Sequence, residues 1–131
     1  MKFECEHFGL AADDPLALRD WYVDVLSAET LLRLADEPPA FLIRLRDGLL
    51  IEIYQADFSL KETSDNKLRG WRHLALRVDD LSVAKAELEA RGVTFHENAK
   101  PAGGGGRVLF FRDLEGNLFH LVERPADFSV S

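Results

Sequence analysis

The chain repeats itself. HFGLAADD (7–14) lies over HLALRVDD (73–80), with the histidine, Leu10 on Leu76 and the two aspartates coinciding without a gap. DGLLIEI (47–53) lies over EGNLFHL (115–121), matching acid, glycine, leucine and apolar flanks, and Glu52 falls on His120. The spacing is similar in both halves, 45 positions from His7 to Glu52 and 47 from His73 to His120. A chain built this way is two copies of one supersecondary unit, and differences between copies collect in the loops.

Each half has the same pattern of elements. A strand (about 3–11; about 71–78) leads into a helix. Asp14 caps the first helix, Pro15 takes its first position, and Leu18, Trp21, Tyr22, Val25 and Leu26 recur at helical spacing. Asp80 caps the second, Leu81, Ala84 and Leu88 form its apolar stripe, and Gly92 ends it. Strands are expected near 30–35, 40–46 and 49–55, and near 93–97, 107–112 and 117–123. RDG (46–48) and DLEGN (113–117) read as hairpin turns. The expectation is an α+β domain over 1–131 made of two βαβββ modules, about 3–55 and about 71–124, joined by a polar connector over about 56–70. PAGGGG (101–106) reads as a surface loop and not as a phosphate cradle, because no Lys-Ser/Thr pair follows it.

Strand side chains alternate between faces. In the four strands bearing His7, Glu52, His73 and His120, the heavier apolar face is the one without the polar residue. That face suits the helices. The four polar residues then share the other face, where they can meet if the modules pack sheet to sheet. Imidazoles with a carboxylate are the usual ligands of zinc, nickel, manganese and non-haem iron, so the expected cofactor is one such divalent ion per site. Ligation would also satisfy one ring nitrogen of each histidine, which a buried imidazole requires.

Composition narrows the partners. With 16 basic and 23 acidic residues and a net charge of −7, the chain has no basic stripe for nucleic acid. No stretch reaches the roughly 20 apolar residues needed to span a bilayer. MKFECEHFG carries charges where a signal peptide has an apolar run, and the one cysteine, Cys5, excludes an internal disulfide. A cytoplasmic protein that meets a small-molecule substrate is expected.

HFGLAADDPLALRDWYVDVL, GWRHLALRVDDLSVAKAELEARGV and FFRDLEGNLFHLVERP together give the chain a family likeness from about Glu4 to Pro125. It resembles the vicinal oxygen chelate superfamily, which groups glyoxalase I, bleomycin-resistance proteins and extradiol dioxygenases. The last segment looks like that family's closing hairpin, with Leu114 in place of its usual proline. The resemblance implies a glyoxalase-like fold, paired βαβββ modules forming a cupped sheet around a divalent metal. It puts His7, Glu52 and His73 on the first three ligand positions. The fourth lies four residues after the hairpin glycine, on His120, where glyoxalase I usually has glutamate. Glu123 points off the other strand face and reads as solvated or salt-bridged. Ala11 stands where glyoxalase I usually has a glutathione-binding arginine, so no glutathione dependence is expected.

Three functions fit these residues. The first is a metal-dependent, glyoxalase-I-like lyase or isomerase, with Glu52 as candidate base or as a structural ligand. The second is an Fe(II) or Mn(II) extradiol-type dioxygenase. The third is a non-catalytic small-molecule binding or resistance protein. Arg44, Arg77 and Arg107 are candidates for holding an anionic substrate. Trp21, Tyr22 and Trp71 read as core or interface, and His96 as surface. Four short strands per module leave sheet edges, and a symmetric homodimer is expected.

Overall fold

The computed structural model describes residues 1–129. The chain forms two compact units divided between Leu60 and Lys61. The first contains β1 (Phe8–Ala12), α1 (Pro15–Leu26), β2 (Glu29–Asp36), β3 (Pro39–Arg44) and β4 (Leu50–Gln55). The second contains a single 3-10 turn (Lys61–Ser64), then β5 (His73–Arg77), α2 (Leu81–Ala90), β6 (Lys100–Pro101), β7 (Arg107–Arg112) and β8 (Leu118–Glu123). The sheets have equivalent orders, β1-β4-β3-β2 and β5-β8-β7-β6. The first strand of each unit runs parallel to the last, and the remaining pairs are antiparallel. The duplication in the sequence is a duplication of topology.

The helices start where the caps place them. Asp14 accepts from the Ala17 N–H at 3.0 Å ahead of Pro15, and Asp80 accepts from the Val83 N–H at 3.0 Å. Leu18, Tyr22 and Val25 of α1 are buried in a unit whose core includes Phe41, Ile43, Ile51 and Ile53. Leu81 and Leu88 of α2 are buried in one that contains Leu109, Phe111, Phe119 and Leu121. Phe111 stacks on Phe119 with centroids 5.1 Å apart. Both final hairpins close alike. Leu45 N–H donates to Leu49 O at 2.9 Å, and Asp113 N–H to Asn117 O at 3.0 Å. Buried Asp113 also accepts from the N–H groups of Glu115 and Asn117, and Gly116 takes the positive φ that this turn requires.

Two expected strands differ. The first begins at Phe8 and not near residue 3, so His7 stands just ahead of β1. Its partner β4 begins only at Leu50, and the charged residues before His7 are exposed with no strand to pair. No strand forms over 93–97. The Val93 N–H is already taken by Leu88 O at 3.0 Å in closing α2, with Gly92 at φ +94. Phe95 contributes its ring, 5.7 Å from Phe111, rather than its backbone. The free edge of β7 goes to the two residues of β6. No helix among the described residues is long and apolar enough to cross a membrane.

Candidate functional site

In the first unit, the parallel register sets Gly9 beside Glu52, with Leu42 of β3 on the other side of Glu52. His7 Nε2 lies 3.9 Å from Glu52 Oε2, and both side chains are about one-third exposed. His7 Nδ1 is 2.9 Å from Glu6 Oε1. A carboxylate only accepts, so Nδ1 donates to Glu6, and Nε2 is the ring atom turned toward Glu52. A cation bound there would be held by a neutral Nε2 and the carboxylate together.

The second unit repeats the register with other side chains. His73 pairs with Leu118, and Ala75 sits beside His120. His73 Nδ1 is 2.7 Å from Asn66 Oδ1, so this ring too donates from Nδ1 and frees Nε2. The rings of His73 and His120 lie 4.5 Å apart and tilted by 41°. Phe110, opposite His120 in β7, meets both edge-on, at 5.0 Å from His120 and 5.7 Å from His73. His120 Nδ1 is buried without a hydrogen-bond partner. Burial, and then the positive charges of His73, Arg124 and Lys100, lowers the His120 pKa from 6.5 to about 4. The ring is therefore neutral near pH 7, the form that ligates a metal.

The four expected ligands thus come as two pairs, His7 with Glu52 and His73 with His120. Among the described residues no three His, Cys, Asp or Glu side chains gather into a group that could hold a metal ion. The donor chemistry within each pair fits a divalent ion: oriented imidazole lone pairs, one carboxylate and an orphaned buried nitrogen. Glu123 does point away from His120. It accepts from the Leu81 N–H at 2.8 Å and pairs with Arg107 at 3.3 Å. Arg107 shares that opposite face. Arg44 is on the Glu52 face, bound to Glu29 at 2.9 Å. Arg77 is on the His120 face, 5.6 Å from the ring of Phe128. Tyr22 is core, while Trp71 and His96 are exposed. The glycine loop is tied down by Arg124, which donates to the carbonyls of Gly103 and Gly105.

Phe110 and Asn66 were not legible as site residues. Phe110 had a signal, because hairpin counting from DLEGN puts it opposite His120. Asn66 had none, since it reaches His73 from the connector.

The comparisons agree with this fold. The "Glyoxalase/Bleomycin resistance protein/Dioxygenase superfamily" model matches residues 5–121. "Uncharacterized protein YaeR" of Escherichia coli (strain K12) is 27% identical over 124 residues, 92% of this chain and 96% of YaeR. The glyoxylase/bleomycin resistance protein/dioxygenase domain from Frankia sp. EAN1pec superposes with a TM-score of 0.74 at 21% identity, covering 97% of this chain and 96% of that one. The fosfomycin resistance protein FosX from Listeria monocytogenes, solved with Mn(II) and sulfate, gives 0.71 at 22% identity, covering 97% and 94%. TioX from Micromonospora sp. ML1 gives 0.66 at 21% identity, covering 92% and 100%. With its two β-α-β-β-β units in matching register and a family match that runs from the first strand's approach to the last, the chain belongs to the glyoxalase/bleomycin resistance protein/dioxygenase superfamily.

Proposed function

We propose that the protein is a metal-dependent enzyme, a glyoxalase-I-like lyase or isomerase acting on a small oxygen-bearing substrate without glutathione. His7, Glu52, His73 and His120 are its ligands for one divalent ion, zinc, nickel, iron or manganese. The supporting observation is the matched anchoring of repeat-equivalent His7 and His73. Each donates from Nδ1 to a nearby side-chain oxygen, His7 to its neighbour Glu6 and His73 to Asn66 of the connector, and so presents Nε2. Outer hydrogen bonds of this kind fix the tautomer and raise ligand basicity. FosX, with a similar fold, was solved with Mn(II).

When bound, the ion would supply a Lewis acid for substrate oxygens. Glu52 is the carboxylate of the set, and its partly exposed side chain can take and return a proton at Oε2. His120, neutral near pH 7 and packed edge-on against Phe110, offers an imidazole nitrogen rather than a second carboxylate. Ala11 offers no charge to a glutathione carboxylate. A symmetric homodimer belongs to the same proposal, and light scattering giving a monomer mass at micromolar concentration would remove it.

Metal analysis of the purified protein tests the reading. Near-stoichiometric zinc, nickel, iron or manganese is expected, reduced in alanine variants of each of the four residues. A protein that binds none of these ions overturns it. The second reading, a metal-free small-molecule binding protein, is favoured by the finding that no three donors are gathered among the described residues. It would stand if the metal-free chain bound its ligand unaided.

A further inference from the structure

The register of the second sheet sorts its charges by face. One row across the His120 face is Arg77, Val122, Val108 and Lys100. The next is Ala75, His120 and Phe110, and the third is His73, Leu118 and Arg112. Arg124 follows one residue after β8. The two flanking rows therefore carry three cations, with a fourth just beyond, and no carboxylate. In a chain of net charge −7 this is a local reversal of sign. Arg124 is engaged with the Gly103 and Gly105 carbonyls, and Glu97 reaches Lys100 at 3.4 Å in an exposed pair that costs little to open. Val108, Phe110, Leu118 and Val122 form a buried apolar cluster across the middle of the three rows. Lys100 Nζ lies 4.7 Å from the Phe110 ring centre, so its stem lies along the same apolar ground as His120.

We infer that this face recognises a small organic anion, whose acidic group is held by Lys100 and the flanking arginines beside the histidine pair. The inference rests on the metal-enzyme reading for its purpose and names the substrate class of that site: an oxygen-bearing molecule with a separate carboxylate, phosphonate or phosphate. Lys100 and Arg77 are exposed and Arg112 is partly buried, so an anion can reach them from solvent while its organic part rests on the apolar ground around Phe110. A neutral substrate would gain nothing from them.

The test is calorimetric titration of the full chain, metal-loaded and metal-free, with phenylphosphonate and with neutral benzyl alcohol. Phenylphosphonate is expected to bind at least about 10-fold more tightly, and to lose that margin as salt rises. Lys100→Met keeps the stem on Phe110 and removes the charge. It should weaken phenylphosphonate about 10-fold while metal affinity, titrated separately, stays unchanged. Equal affinity for the two compounds, or undiminished phosphonate binding by Lys100→Met, overturns the inference. Loss of the metal reading alone would show as intact anion discrimination in a chain that binds no metal. Loss of this inference alone would show as metal binding without discrimination.

Discussion

The same strand position meets two different environments in the two units. In the first sheet Glu52 sits between Gly9 and Leu42, and Leu32, opposite Leu42, is 55% exposed. In the second sheet His120 sits between Ala75 and Phe110, which is 9% exposed and clusters with three other buried side chains. Both side chains are half-buried, but one stands beside a histidine and an open edge, and the other beside a buried aromatic ring and cations. Duplication preserved where a polar side chain stands. In the second sheet, burial and then nearby cations keep His120 neutral near pH 7.

The largest contrast is expected in stability. Phe110 and Leu42 are equivalent, each opposite the polar residue of its sheet. Phe110→Ala should cost about 3 kcal/mol or more in urea unfolding, because it opens a cavity in a closed cluster. Leu42→Ala, at a half-buried position, should cost about 1 kcal/mol. Equal losses would break the contrast.

Metal binding should separate residues within one strand. His120→Ala is expected to weaken metal affinity about 10-fold or more, while Glu123→Ala, on the opposite face, leaves it unchanged. His120→Glu restores a carboxylate at the equivalent of Glu52 and should keep the metal. Equilibrium metal titrations check all three, and the reverse order for the two alanine variants would remove His120 from the ligand set.

The surroundings of His120 also predict a pH dependence for the metal-free chain. His120 stays neutral in the folded state down to about pH 4, whereas the unfolded chain takes up its proton near 6.5. The unfolded state therefore binds more protons between those values, and stability falls as pH drops through that window. His120→Gln should flatten this part of the stability curve relative to the parent. An unchanged slope would mean that His120 titrates normally.

The smallest contrast lies in the helix caps. Asp14→Ala should cost about 1 kcal/mol. Asp80→Ala should cost less, because Glu123 still holds the Leu81 N–H of α2. Thermal unfolding of the two variants measures the difference.

Much of the architecture was legible because its signals are local. Asp14-Pro15, Asp80 and the two hairpin turns mark element ends by hydrogen bonds made within a few residues. The strand expected over 93–97 was misread for the opposite reason. Val-Thr-Phe has strand-like alternation, but helix closure took the Val93 N–H first. The place of His7 outside β1 likewise depended on where β4 begins, 43 residues later.

By itself, the sequence determined the two-fold repeat, the βαβββ order and which strand face carries Glu52, His73 and His120, because periodicity and spacing are properties of the chain alone. Only the tertiary structure decided what those side chains meet. That Asn66 orients His73, that Phe110 walls His120, and that Arg107 is drawn to Glu123 while Lys100 shares the histidines' face all depend on residues distant in sequence. The physical reason is that orientation, desolvation and charge pairing act through space over a few ångströms, and the chain encodes those distances only after it has folded.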